Sequence, residues 1–179
     1  MAHEDDEELN IIEEREKQSD PRLELAISIN EPIEKLLYRK PVLVSKDIKV
    51  IDVINLFNEK DVGCVLIIDD KTKKLTGIFT ERDVIRKLIN KGHDIYKESV
   101  EKYMTKNPDS LQISDPIAYG LNKMASGGYR HVPLVDENNY PVGFLSIRDI
   151  IDHLADYYLN EIVNLPPSPH AKQTSVEGG

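Results

Sequence analysis

Two short segments carry residue types that could hold a polar ligand. In residues 77–85, GIFTERDVI, Thr80 and Asp83 stand three apart with Arg82 between them. In residues 143–151, GFLSIRDII, the same places are taken by Ser146, Arg148 and Asp149. A hydroxyl followed three residues later by an acid is a helix-capping pattern. The hydroxyl oxygen accepts the third helical N–H, and the acid reaches back or favours the helix dipole. Capping alone accounts for the spacing. The same geometry also suits a ligand, because a helix N-terminus offers unpaired N–H groups and a partial positive charge. A carboxylate in that first turn would repel a phosphate placed on it but would accept hydrogen bonds from a vicinal diol. The hydroxyl could then hold a phosphate and the carboxylate a ribose. Arg82 and Arg148 could add bidentate phosphate contacts, or serve as surface residues paired with neighbouring acids.

The elements that must position these residues repeat. VLIID (65–69) returns as VPLVD (132–136), and KVIDVINLF (49–57) matches PIAYGLNKM (116–124). The offset falls from 67 residues at Val65/Val132 to 66 at Gly77/Gly143. One residue is lost in the turn where DKTKK faces ENNY, as surface loops tolerate. Two copies at so long a period indicate a duplicated domain, not a solenoid. In the first copy the patterning predicts strands at 42–44, 65–68 and 76–79. Helices are expected at 50–57 and at 80–90, the second with Val84, Ile85 and Leu88 on one face and a stop at Gly92. The second copy gives strands at 110–113, 132–135 and 142–145 and helices at 116–125 and 147–158. The order β-α-β-β-α predicts an α/β (α+β) layer architecture. Each unit of about 60 residues buries too little surface alone, so two units packed sheet to sheet are expected.

Composition narrows the function classes. The chain has 179 residues, 32 acidic and 23 basic, for a net charge of −9. The acidic balance argues against nucleic-acid binding, which needs a basic footprint. Apolar runs are too short for a membrane span, and no secretory signal stands at the start. The single cysteine, Cys64, excludes an internal disulfide or a multi-cysteine zinc site, and the histidines show no metal-ligand spacing. Cys64 lies in the apolar run GCVLII and reads as a core residue. No Walker-type loop, dinucleotide fingerprint or nucleophile set is visible, so an enzyme is not expected. A cytoplasmic setting is expected. An acidic N-terminal tail is read at 1–20, a first repeat with its leading helix at 21–92, a second at 93–159, and a Pro-rich tail at 160–179.

The doubled pattern resembles the tandem CBS-domain (cystathionine β-synthase domain) pair. The residues that carry it are Gly77-Ile-Phe-Thr80-Glu-Arg-Asp83 and Gly143-Phe-Leu-Ser146-Ile-Arg-Asp149, with residues 100–108 and Arg130-His-Val-Pro-Leu-Val-Asp136. The resemblance covers roughly residues 31–158. It implies two repeats related by a pseudo-two-fold axis, with two clefts between them that take AMP, ADP, ATP or S-adenosylmethionine. Carried onto this sequence, cleft A would use Thr80, Arg82 and Asp83, with Arg130, His131 and Pro133 opposite and Met104 to Asp109 leading in. Cleft B would use Ser146, Arg148 and Asp149, with Gly63, Cys64 and Val65 opposite and Tyr38 to Val42 leading in. Cleft A is favoured for a charged ligand, since Arg130 and His131 there face Gly63 and Cys64 at the matching places of B. The resemblance also implies a homodimer and no catalytic role. Two functions are then open. One is a stand-alone regulatory pair that binds an adenine nucleotide and signals to a partner protein through a shift in population. The other is a structural or interaction module whose clefts are vestigial.

Overall fold

The computed structural model describes Ala26, residues 28–36 and residues 38–157. The expected tails at 1–20 and 160–179 lie outside the described residues. Two units make up the chain, one spanning Ile29–Ile150 and the other Met1–Ser28 with Ile151–Gly179. All the strands belong to the first.

The first repeat runs β1 (Leu43–Ser45), α1 (Val50–Lys60), β2 (Cys64–Ile68) and β3 (Leu75–Thr80). It continues into α2, which opens as one α turn at Glu81–Asp83 and passes into a π turn at Val84–Leu88. Then follow β4 (Thr105–Lys106), α3 (Ile117–Gly127), β5 (His131–Val135), β6 (Pro141–Ser146) and α4 (Ile147–Tyr157). The α1 helix forms because Val50, Val53 and Phe57 recur at helical spacing and bury one face. Gly128 ends α3 at φ 66°, a left-handed conformation that glycine adopts without penalty, and returns its N–H to the Met124 carbonyl at 2.9 Å.

β1 to β4 form one sheet in that order, with β1 parallel to β2 and the other pairs antiparallel. β5 and β6 form an antiparallel pair, flanked by single bridges from Leu111 to Leu134 and from Arg39 to Phe144. The strand expected at 110–113 is thus reduced to one bridge. The sheet alternation sorts β2 into two faces. Val65 and Ile67 join Phe57 and Phe79 in a core under α1. Cys64 and Leu66 face the other way and pack with Leu75, Ile78, Val135 and Phe144, which brings the two sheets together. At the edge of this seam Leu75 donates its N–H to the Asn139 carbonyl at 3.0 Å, and Asn139 Nδ2 donates to the Leu75 carbonyl at 3.2 Å.

The repeats exchange their leading segments, which the periodicity of the sequence does not reveal. β4 stands at the start of the second repeat yet completes the first repeat's sheet beside β3. Arg39 stands in the leading segment of the first repeat yet bridges to β6 of the second. Glu34 and Ile33 donate their N–H groups to the carbonyls of Ile113 and Asp115 at 2.8 and 2.9 Å. The linker does the reverse, with Val50 and Ile51 donating to the carbonyls of Glu98 and Ile95, both at 3.0 Å.

This exchange explains the glycine that opens each motif. A Cβ at Gly77 would lie 2.5 Å from Met104 Sδ and 3.2 Å from the Thr105 carbonyl oxygen. A Cβ at Gly143 would lie 2.6 Å from the Tyr38 ring and 3.3 Å from the Arg39 carbonyl oxygen. Each glycine is the place where the exchanged segment crosses. A thioether can swing aside, whereas a packed ring moves only with its backbone. Gly143→Ala is therefore expected to cost about 1–3 kcal/mol and Gly77→Ala less, measured by urea unfolding. A larger loss at Gly77 would show that the backbone contact at Thr105, not the side chain, sets the limit.

Candidate functional site

Both hydroxyl–aspartate pairs form closed capping boxes. Asp83 Oδ2 accepts the Thr80 N–H at 2.9 Å and the Thr80 hydroxyl at 2.8 Å, while Asp83 N–H donates to Thr80 Oγ1 at 3.3 Å. The second box repeats this within a tenth of an ångström, at 2.9, 2.7 and 3.2 Å between Ser146 and Asp149. The boxes also consume the helix amides. The Glu81 N–H donates to the Gly63 carbonyl at 3.2 Å, and the Ile147 N–H to the Arg130 carbonyl at 3.0 Å. With the first and third amides of each helix satisfied, these turns have less left to offer an anion, and side chains must supply most of its recognition.

A cavity of about 800 Å³ opens in front of Thr80 and Asp83. That lies within the 300–1,000 Å³ typical of small-ligand sites. Of the cleft A residues read from the sequence, Thr80, Arg82, Asp83, Asp109, Arg130, His131 and Pro133 line it. Met104 does not; it packs under Gly77 against the core of the first repeat. Residues not singled out by sequence also line the cavity, notably Glu81, Ile85, Arg86, Lys87 and Tyr129. Ile85 was expected on the buried face of its helix, but it is 68% exposed and borders the cavity, while Leu88 is buried. Lys87 could have been found from its spacing, since a base four residues after Asp83 sits one turn along the same helix face.

Charge in the cavity is unevenly committed. Lys87 Nζ lies 2.8 Å from Asp83 Oδ1. Asp109 accepts the Tyr129 hydroxyl at 3.0 Å and has Lys123 Nζ 3.5 Å away. Burial, then Asp109, pushes the Tyr129 phenol up to about 12, so it remains a donor. Arg82 Nη1 donates to the Gly128 carbonyl at 2.6 Å, a bond from the first repeat to the loop before β5. Among the described residues Arg82, Arg86 and Arg130 have no carboxylate within ion-pair distance, and all three line the cavity. His131 supplies no fixed charge. Burial is the main cause holding its imidazole below the usual value; Arg82, Arg130 and Arg39 act the same way and Asp149 opposes them. It is a neutral ring near pH 7, edge-on to Phe144 at 5.8 Å, able to donate or accept one hydrogen bond.

The residues assigned to cleft B lie near one another, with Asp149 bearing on Cys64 and Gly63 against His131, the strand partner of Ser146, but several of them are buried. Gly63 lies in the lining of the Thr80 cavity, with the His131 ring 3.2 Å from where its Cβ would be. Cys64 is fully buried in the seam between the sheets, and burial, with Asp149 and Glu81 adding to it, pushes its thiol up to about 12. It is an uncharged core group. Val65 is fully buried in the core of the first repeat, and Val42 packs against that core. Their inward placement follows from strand alternation, which sends Val65 to the face opposite Cys64. The Tyr38 ring lies against Gly143, and Arg148 and Asp149 stand in the first turn of α4. No group of three or more metal-ligating side chains occurs among the described residues. No helix among them is long and apolar enough to cross a membrane.

Comparison with known proteins places this geometry. A family model for the CBS domain matches residues 33–90 and again 100–156. An uncharacterized 17.7 kDa protein of Acidianus ambivalens is 27% identical over 144 residues, 80% of this chain and 84% of that one. Other relatives are longer, and the chain spans only 14% of the meiotically up-regulated gene 70 protein of Schizosaccharomyces pombe. Among solved structures, an uncharacterized conserved protein of Pyrococcus horikoshii is 29% identical with a TM-score of 0.63, covering 69% of this chain and 92% of its own. A protein of Pyrobaculum aerophilum solved in complex with AMP is 26% identical with a TM-score of 0.62, covering 70% of this chain and 98% of its own.

Proposed function

The chain belongs to the CBS-domain family, and from that premise we propose that the cavity at Thr80 and Asp83 binds an adenine nucleotide as a regulatory ligand. CBS domains are regulatory, non-catalytic modules. The observation that carries the reading is the charge pattern of the cavity. Three arginines without carboxylate partners among the described residues converge on a space that also holds a capped carboxylate. Arg82, Arg86 and Arg130 suit phosphate, and Asp83 suits a ribose hydroxyl. The apolar surfaces of Ile78, Ile85 and Pro133 supply a wall for a base. The relative solved with AMP supports the ligand class. S-adenosylmethionine fits this lining less well, because its sulfonium and ammonium groups would meet the arginines.

The reading extends to assembly: the chain would work as a homodimer, with the exposed Ile89 just after α2 as apolar contact surface, and would report to a partner protein by a ligand-driven shift between arrangements of the repeats. A thermal-shift titration with AMP, ADP, ATP and S-adenosylmethionine tests the ligand. At about 100 times its dissociation constant a ligand adds roughly 2.7 kcal/mol, or about 5 to 11 °C for a chain of this size. The phosphorylated ligands should shift the melt more than S-adenosylmethionine. No shift with any of the four at millimolar concentration would leave the module without a nucleotide and favour a purely structural role.

A further inference from the structure

We propose that Lys87 fastens the Asp83 carboxylate to the opening segment of the second repeat, so that a filled cavity is read out as a tighter segment around Tyr103. The inference rests on the nucleotide reading of that cavity. The ammonium group makes two contacts at once. Its Nζ lies 2.8 Å from Asp83 Oδ1 and donates to the Tyr103 carbonyl at 2.6 Å. One lysine therefore joins the ligand side of the first repeat's helix to the segment that opens the second repeat. Three donors on an ammonium allow both bonds together.

The capping box makes this link sensitive to ligand. Thr80 already supplies both its N–H and its hydroxyl to Asp83 Oδ2. A hydroxyl from the cavity meets its freer acceptor on Oδ1, the oxygen that Lys87 holds. Sharing Oδ1 with a ligand draws electron density from the Lys87 bond and leaves the ammonium freer to bind the Tyr103 carbonyl. Tyr103 is suited to pass that change on. Its ring is buried in the core of the first repeat, and its hydroxyl is held by Glu98. Glu98 in turn holds Lys102 Nζ at 2.6 Å and lies 3.6 Å from His93 Nδ1, whose ring meets Tyr103 edge-on at 5.0 Å. The Tyr103 and Met104 amides both donate to the Val100 carbonyl, at 3.0 and 2.9 Å, and Val100 donates to Ile48 at 2.9 Å. Two and four residues after Tyr103, Thr105 and Asn107 line the cavity. The place equivalent to Lys87 in the second repeat is taken by His153, so this ammonium tie belongs to the first repeat.

Hydrogen exchange on the full chain, read by mass spectrometry with and without saturating AMP, tests the tie. Lys87→Met removes the ammonium; Lys87→Arg keeps the charge and the donors. Without ligand, Lys87→Met should lower protection of residues 100–104 about fivefold, with Lys87→Arg intermediate. With AMP, these residues should gain protection in the wild type and not in Lys87→Met, while residues 127–131 respond in both. An equal response of residues 100–104 in wild type and Lys87→Met at saturation overturns the inference, since Lys87 would then be a phosphate contact only. Should none of the nucleotides bind, the nucleotide reading falls by itself. The ligand-free arm then decides, because unchanged protection at 100–104 refutes the tie and lowered protection upholds it.

Discussion

Asp83→Ala is expected to weaken AMP binding about 10- to 100-fold while lowering stability by only about 1 kcal/mol. The two numbers come from different bonds. Hydrogen bonds to a charged group contribute about 1.5–3 kcal/mol, and each 1.4 kcal/mol is a factor of ten in affinity. Stability loses less, because Thr80 Oγ1 still caps the amide of residue 83 after the carboxylate is gone. The Lys87 pair is lost as well, but its lysine side chain is 37% exposed, so its contribution is screened. Asp149→Ala is the matched control. It breaks a box of the same geometry and should cost similar stability, yet leave AMP affinity at the Asp83 cavity unchanged. Calorimetric titration of both variants checks this. Wild-type affinity in Asp83→Ala would reduce Asp83 to a cap; a loss confined to Asp149→Ala would move the ligand to the second motif. Adenosine should lose more than AMP in Asp83→Ala, since removing the carboxylate also removes a charge that opposes the phosphate.

The largest effect on stability is expected at Phe79, where truncation to alanine should cost about 3–5 kcal/mol in urea unfolding. Phe79 is fully buried on β3 and stacks on Phe57 of α1, with ring centroids 6.2 Å apart and planes 14° from parallel. Val65, Ile67 and Tyr103 surround it. No small residue can refill that space, so the loss combines transfer and cavity terms. Set against a typical total of about 5–15 kcal/mol, it threatens the native state. Phe79→Leu should cost less, about 1.5 kcal/mol, because most of the volume stays. Phe79 is also the residue before Thr80 on the same strand, so its collapse would displace the capping turn. Loss of AMP binding in Phe79→Ala with binding kept in Phe79→Leu would fit this; equal loss in both would give the ring a direct part in the site.

Much of the molecule was legible in the sequence because its signals are local. The strands at Val65 and Val132, the amphipathic α1 and the two capping boxes each follow from spacing within a dozen residues, and the duplication from the return of those short patterns 66–67 residues later. The cleft A residues came together as expected, apart from Met104, because a hairpin and the helix after it hold Thr80, Arg82 and Asp83 in fixed relation. For cleft B a repeat alignment treats Gly63, Cys64 and Val65 as one run, whereas strand alternation and burial decide which way each of them points.

The contacts between distant segments were settled by packing alone. Nothing in the periodicity announces that residues 105–106 pair with β3, or that Arg39 bridges to β6, since a two-residue strand carries no pattern. The glycines of the two motifs have a spatial reason that sequence alone leaves blank, namely the crossing of Met104 and Tyr38. Likewise, the helix amides that looked open to an anion turned out to be used by Thr80, Ser146 and the carbonyls of Gly63 and Arg130. Amino-acid type and spacing determined which groups could act. Packing determined which of them remain available, because a donor or acceptor already satisfied inside the fold has little left to offer a ligand.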